Sequence, residues 1–244
     1  IDLKELEFRH GCVDYYAKNN NDLDDVISIL KSFSDLERIM AKVATSKISP
    51  RELIQLKHNL NSIKPLKNLL DSSSNKFIHR ISKSLELCKK LIKILDFTLD
   101  DNAPVNISKG NVIKLGFSSE LDELRDLSKS GKDYLNQILE REIENTGISS
   151  LKISFNNVFG YYLEVRNIHK DKVPEEWIRK QTLVSAERYI TEELKDYESK
   201  ILGAEENISI LENQIFNDLI LNIQPFISSI KNNSYWIAVL DCLC

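Results

Sequence analysis

The feature that most constrains this chain is an island of two-residue periodicity, Leu151 to Ile190, set between two long stretches whose apolar residues recur every three or four positions. A helix cannot bury a period of two and a strand cannot bury a period of 3.6, so the chain must change structural class twice. After the island, Ile190, Leu194, Tyr197, Ile201, Ala204, Ile208, Leu211 and Ile215 alternate spacings of four and three, the register of a coiled-coil seam. Before it, from about Ser118 to Asn145, Leu121, Leu124, Leu135 and Ile138 keep that register, with Ser128 and Gly131 in the seam positions between them. Two such small residues predict that a partner backbone approaches closely there. Helices of this length reach about 40 to 48 Å at 1.5 Å per residue, which would hold the island far from the chain's other mass.

Within the island, Leu151, Ile153 and Phe155 alternate with Lys152, Ser154 and Asn156, and Tyr161, Leu163 and Val165 alternate with Tyr162, Glu164 and Arg166. Both runs predict half-buried strands. The intervening Asn156-Asn157-Val158-Phe159-Gly160 contains residues that tolerate positive φ, so a hairpin with a loop longer than two residues is expected. Runs from Trp177 to Val184 and from Glu187 to Ile190 would complete a small antiparallel sheet. The segment Asn167 to Pro174 is polar, breaks the period and is expected to be a basic loop.

The flanking sequence is helical in character. Only 7 Gly and 5 Pro occur in 244 residues, and 42% hydrophobic residues are enough to bury a core in one or two domains. Ser49-Pro50-Arg51-Glu52 is a capping box opening a helix through about Ile63. Leu36, Ile39, Met40 and Val43 form one apolar face, and Phe77, Ile81, Leu85, Cys88, Ile92 and Leu95 another. A looser turn is expected at Asp100 to Pro104. No apolar run approaches the roughly 18 residues of a membrane span, and no signal sequence opens the chain. A cytoplasmic protein with no membrane contact is therefore expected. Residue 1 is Ile, the single Met is Met40, and the chain stops inside the apolar run Tyr235 to Cys244, a pattern expected of an excised piece of something larger.

Charge is unevenly distributed. The whole chain has 33 basic and 37 acidic residues, which argues against a protein that coats nucleic acid over its entire surface. From Gly147 to Thr191, however, seven basic residues (Lys152, Arg166, Lys170, Lys172, Arg179, Lys180 and Arg188) face five acidic ones. Catalytic signals are thin. None of the seven glycines begins a G-x-x-x-x-G-K-[ST] phosphate loop, since Gly131-Lys132 continues with Asp133 inside a helical pattern. His10, His58, His79 and His169 lack metal-ligand spacing. Cys12 and Cys88 lie in helical patterns, and Cys242 and Cys244 form no recognisable ligand set.

The run Ile153-Ser154-Phe155-Asn156-Asn157-Val158-Phe159-Gly160-Tyr161-Tyr162-Leu163-Glu164-Val165, with Arg179-Lys180-Gln181-Thr182-Leu183 and Ala186-Glu187-Arg188-Tyr189 after it, resembles the clamp region of the MutS DNA mismatch repair family. Ser34 to Ile39, Pro50 to Leu53 and Leu121 to Arg125 resemble the family's lever domain in the same order. The resemblance implies a mainly α fold: a multi-helix lever with two long antiparallel helices carrying a small inserted antiparallel sheet, the clamp, at their tip. It implies a lever over residues 1–146 and 192–244 interrupted by a clamp at 147–191. Function follows as non-sequence-specific gripping of duplex DNA, coupled through the lever to an ATPase domain outside this chain.

Carried over residue by residue, the resemblance implies backbone contacts from Asn167, His169, Lys170 and Lys172, from the turn at Ser185, and from Arg166 and Lys180 beside them. Arg166 and Lys180 fit a solvated strand face equally well, and Arg188 and Tyr189 fit a structural role. The family often has a basic residue and Asn directly before Ala-Glu-Arg-Tyr, where this chain has Val184 and Ser185. No cofactor, metal or catalytic residue is expected in this chain, while ATP and Mg are implied for the longer protein, as are homodimerisation and a MutL-type partner. Two other readings stay open: a helical arm that docks repair partners, and the clamp of a MutS-like recombination protein acting on branched DNA.

Overall fold

The computed structural model describes residues 2–244. Helices α1 (Leu3–Lys18), α2 (Asn20–Leu30), α3 (Leu36–Ala44), α4 (Pro50–Ser72), α5 (Lys76–Ser84) and α6 (Lys89–Thr98) precede the long helix α7 (Ser119–Thr146). Strands β1 (Lys152–Asn156), β2 (Gly160–Arg166), β3 (Ile178–Thr182) and β4 (Ala186–Ile190) follow, then α8 (Glu192–Ile223) and α9 (Ile227–Leu243). The chain divides into two compact units, one of residues up to Phe117 with Glu212–Cys244, the other Ser118–Leu211. The second unit thus takes α7 and most of α8 together with the sheet.

In the helical unit, α3 buries Leu36, Ile39, Met40 and Val43 as the periodicity requires. The α4 capping box is complete: the Glu52 amide donates to Ser49 Oγ at 3.3 Å, and the Ser49 amide donates to Glu52 Oε2 at 3.0 Å. Unlike the sequence expectation, α4 does not stop near Ile63 but continues through Pro65 to Ser72. A proline inside a helix costs about 3 kcal/mol. Leu66 and Leu70 beyond it are fully buried, and two leucines contribute about 3 to 6 kcal/mol by burial, enough to outweigh that cost.

The expected single face from Phe77 to Leu95 is instead split between α5 and α6, with Cys88 outside the helices at φ 45° and Leu91, not Ile92, buried. The break is held from a distant part of the sequence. On α9, Asn233 accepts from the Glu86 amide and donates Nδ2 to the Glu86 carbonyl, both at 2.8 Å, while Asn232 Nδ2 donates to the Ser84 carbonyl at 2.7 Å. These side chains take the place of the helical hydrogen bonds the break forfeits.

In the sheet unit, α7 and α8 run antiparallel. Ser118 caps α7 by accepting from the Leu121 amide, and Thr191 Oγ1 accepts from the Leu194 amide at the start of α8. The small seam residues do admit a close approach, but of a side chain rather than a backbone: a Cβ on Gly131 would lie 2.5 Å from Ile201 Cγ1. Around that contact Tyr134 and Tyr197 stack at 3.9 Å, Tyr134 Oη donates to Glu193 at 2.7 Å, and Lys132 pairs with Glu205 at 2.6 Å. Leu194, Ile201 and Ala204 are buried in the expected register, whereas Ile208, Leu211 and Ile215 are half-buried. From Glu212 onward α8 belongs to the helical unit and buries a different stripe, Phe216, Leu219, Ile220 and Ile223.

The sheet is antiparallel in the order β1-β2-β4-β3. Its inner face sets Leu163, Val165 and Tyr189, with Trp177, against Leu135 and Ile138 of α7 and Leu194 and Ile201 of α8. Two residues depart from the expected alternation. Phe155, expected inward, is 44% exposed on the edge strand, and Tyr162, expected outward, is buried because the Arg188 guanidinium lies 4.4 Å above its ring. The third run is shorter than expected and carries a register shift between Arg179 and Gln181, which leaves Lys180 as the bulged residue.

Candidate nucleic-acid interface

Of the residues predicted to meet DNA, Arg166, Asn167 and Ser185, with the segment that carries His169, Lys170 and Lys172, gather at one end of the sheet, where β2 ends and the β3–β4 turn lies, whereas Lys180 stands midway along β3. Arg166 is paired with Ala186 in the ladder. The next residue, Asn167, donates its amide to the Ser185 carbonyl at 3.1 Å and its Nδ2 to the Val184 carbonyl at 3.0 Å. The Leu183 amide donates to the Ala186 carbonyl at 2.8 Å, closing the two-residue turn Val184-Ser185. Asn167 is therefore the residue that ties the turn to the end of β2. Its Oδ1 is buried without a protein partner.

The segment expected to be an irregular loop is in part a 3-10 helix, Asn167–Lys172. Its far end is pinned: the Val173 amide donates to the Lys170 carbonyl, the Trp177 amide to the Pro174 carbonyl, and Val173 and Trp177 pack into the core. Pinning both ends fixes where the intervening side chains can project. Lys170 is exposed and His169 half-exposed. Lys172 extends toward Gly147, its Nζ 4.0 Å from where a Cβ on that glycine would stand. Gly147 is the left-handed C-cap of α7, so the ammonium sits beside the negative end of a helix dipole, a favourable place for a cation.

The remaining charges sort into two sets. Arg179 Nη1 donates to Glu187 Oε1 at 3.2 Å, and Tyr189 Oη donates to the same carboxylate. The Tyr189 hydrogen bond first, then the Arg179 charge, hold Glu187 below the usual carboxylate range, with Lys170 contributing through space. Burial and the same hydrogen bond push Tyr189 up to about 12. On the outer face Arg188 donates to Glu164 at 3.3 Å and to Gln181 at 2.8 Å. Arg179, Arg188 and Tyr189 are thus structural. Arg166, Lys170 and Lys180 are exposed and form no ion pair among the described residues. Ser185 is exposed at the turn.

Two apolar residues of this end have no part in the expected interface, although Val184 is a departure from the family pattern. Val184 is fully exposed at the turn and Ile168 is 78% exposed on the 3-10 segment. A β-branched apolar residue at a turn, where small polar residues are usual, was the available signal.

The profile of MutS family domain IV matches residues 116–207, which contain the sheet and most of its two helices. Curated relatives match along the whole chain. The DNA mismatch repair proteins MutS of Flavobacterium johnsoniae and Christiangramia forsetii are each 54% identical over 243 residues, and that of Bacteroides thetaiotaomicron is 51% identical over 242. These alignments cover 99% or 100% of this chain and 28% of each relative, so the chain spans little more than a quarter of their length.

Proposed function

Because the chain belongs to the MutS family, we propose that its sheet end grips duplex DNA through the phosphate backbone, and that α7 and α8 connect this grip to the rest of the longer protein. The observation that carries the reading is the pair of exposed cations at one end of the sheet, Arg166 and Lys170, with no ion pair among the described residues, next to a turn and a 3-10 segment that are held at both ends; Lys180, exposed midway along β3, is a further candidate contact. Backbone contacts of this kind position a duplex without reading its sequence. On this proposal 147–191 acts as a clamp inserted in a lever of 1–146 and 192–244. Mismatch recognition, a homodimeric ring around DNA and engagement of a MutL-type partner belong to the longer protein. ATP and magnesium find no fitting residues here: there is no phosphate loop, and among the described residues no group of three or more His, Cys, Asp or Glu could hold a metal. No helix of the described residues is long and apolar enough to cross a membrane.

If three phosphates are neutralised, log affinity falls against log salt with a slope of about -2.7, and affinity at physiological salt lies near ~0.1 mM. Titration of matched and mismatched duplexes with the chain carrying Lys170→Glu and Lys172→Glu tests the reading. Both duplexes should lose affinity equally and the slope should flatten. Unchanged binding in that variant would remove the 3-10 segment from the interface, and a preference for the mismatched duplex would overturn a backbone-only grip.

A further inference from the structure

The exposed apolar residues at the cationic end are held in place. Val184 is 101% exposed, yet the Asn167 side chain is bonded to its carbonyl and the bonds of Leu183 and Ser185 fix the turn on either side. Ile168 directly follows Asn167 and is exposed on a segment pinned at both ends. Single exposed aliphatic residues are ordinary on protein surfaces. Val158, 80% exposed at the opposite, hairpin end of the sheet, is one such residue. Ile168 and Val184 differ in their company: they are joined through Asn167 and interleaved with Arg166 and Lys170, two cations without ion-pair partners among the described residues. A nucleic-acid strand has a matching alternation, anionic phosphates separated by sugars whose C–H edges are apolar. In RNA each sugar adds a 2′-hydroxyl, and burying that group against an aliphatic side chain would leave it without a hydrogen-bond partner.

We propose that Ile168 and Val184 form an apolar footing that packs on the deoxyribose of a bound DNA strand while the neighbouring cations take its phosphates. The inference rests on the duplex-gripping reading above and adds two properties to it. Part of the affinity is independent of salt, because apolar contact releases no counterions. Duplex DNA is also preferred over duplex RNA.

The test uses the 244-residue chain with fluorescently labelled DNA and RNA duplexes of the same sequence, titrated across a series of salt concentrations. The double variant Ile168→Ser, Val184→Ser should lose about tenfold in DNA affinity at every salt, the loss expected when two partly covered aliphatic side chains give up their contact. Its salt slope should equal that of the unmodified chain, and its RNA affinity should not change. The variant Val184→Lys should steepen the slope by about 0.9, one added phosphate contact. Three outcomes would overturn the footing: undiminished DNA affinity in the double serine variant, equal losses on DNA and RNA, or a flattened slope in that variant. Failure of the unmodified chain to bind either duplex is a separate result, which removes the gripping reading and the footing together.

Discussion

At the hairpin end of the sheet, the Glu198 carboxylate of α8 occupies the space a Gly160 side chain would take and accepts from the Tyr161 amide at 2.7 Å. At the other end, Arg166 and Lys170 stand exposed and form no ion pair among the described residues. The hairpin loop is also satisfied from within, since Asn156 Oδ1 accepts from the Val158 and Phe159 amides at 3.0 and 2.8 Å. Polar groups at one end are thus spent on fastening the sheet to a helix, while at the other the backbone is fastened and the cations are left over. A surface that binds an anion needs that second arrangement: charges already held in position and not neutralised by the protein itself.

The largest effect on this comparison is expected from Gly160→Val. Gly160 has φ +76°, which a β-branched residue adopts only with strain, and the new Cβ would displace Glu198 from the Tyr161 amide. Strain of about 1–2 kcal/mol and the loss of a charged hydrogen bond worth about 1.5 kcal/mol should together destabilise the sheet unit by about 3 kcal/mol. Hydrogen exchange of the β1 and β2 amides measures this. Duplex affinity below the melting transition should stay within about twofold, because the change lies at the end away from Arg166 and Lys170; a larger loss would mean the two ends are not separable.

Asn167→Ala should act in the reverse sense. One neutral hydrogen bond, to the Val184 carbonyl, is lost from the protein, so stability falls by about 1 kcal/mol. Releasing the turn from β2 should nevertheless reduce duplex affinity by about fivefold, measured by the same titrations. Unchanged affinity would show that the geometry of the turn does not matter to the grip.

The smallest effect concerns pH. Glu187 has a folded-state value below its ordinary carboxylate value. Its contribution is therefore present at pH values above the unfolded value and is lost as the pH falls through the folded one. Between about pH 5 and about pH 3, Glu187→Gln should show a shallower loss of stability than the unmodified chain in denaturant titrations. Parallel curves would mean that the Tyr189 and Arg179 contacts do not favour the charged carboxylate.

The elements most readable in advance were those whose signal is local. The seam from Ile190 to Ala204 and the small residues Ser128 and Gly131 were legible because burial on a helix repeats with a known period. The capping box at Ser49 was legible because both partners lie within four residues. Of the candidate interface, the residue types and their neighbourhood were legible through the family resemblance. How each charge is used was legible only in part: Arg188 already fitted a structural role, but nothing in the sequence set Arg179 apart from Lys170, and only the fold shows that its carboxylate partner, Glu187, stands across the strands.

By itself, then, the sequence determined the mainly helical class, the two long helices, the strands between them and the basic character of the inserted segment, since each depends on periodicity or composition over neighbouring residues. Tertiary structure alone decided that α4 passes through Pro65, that the chain breaks between α5 and α6, that Tyr162 is buried beneath Arg188, and that Val184 is presented in the open by Asn167. In each of these the deciding partner is either distant in sequence, as Asn233 is from Glu86, or is a packing gain that exceeds a local penalty. A local pattern carries no record of such partners, because the free energy that selects them is released only when the chain has brought them together.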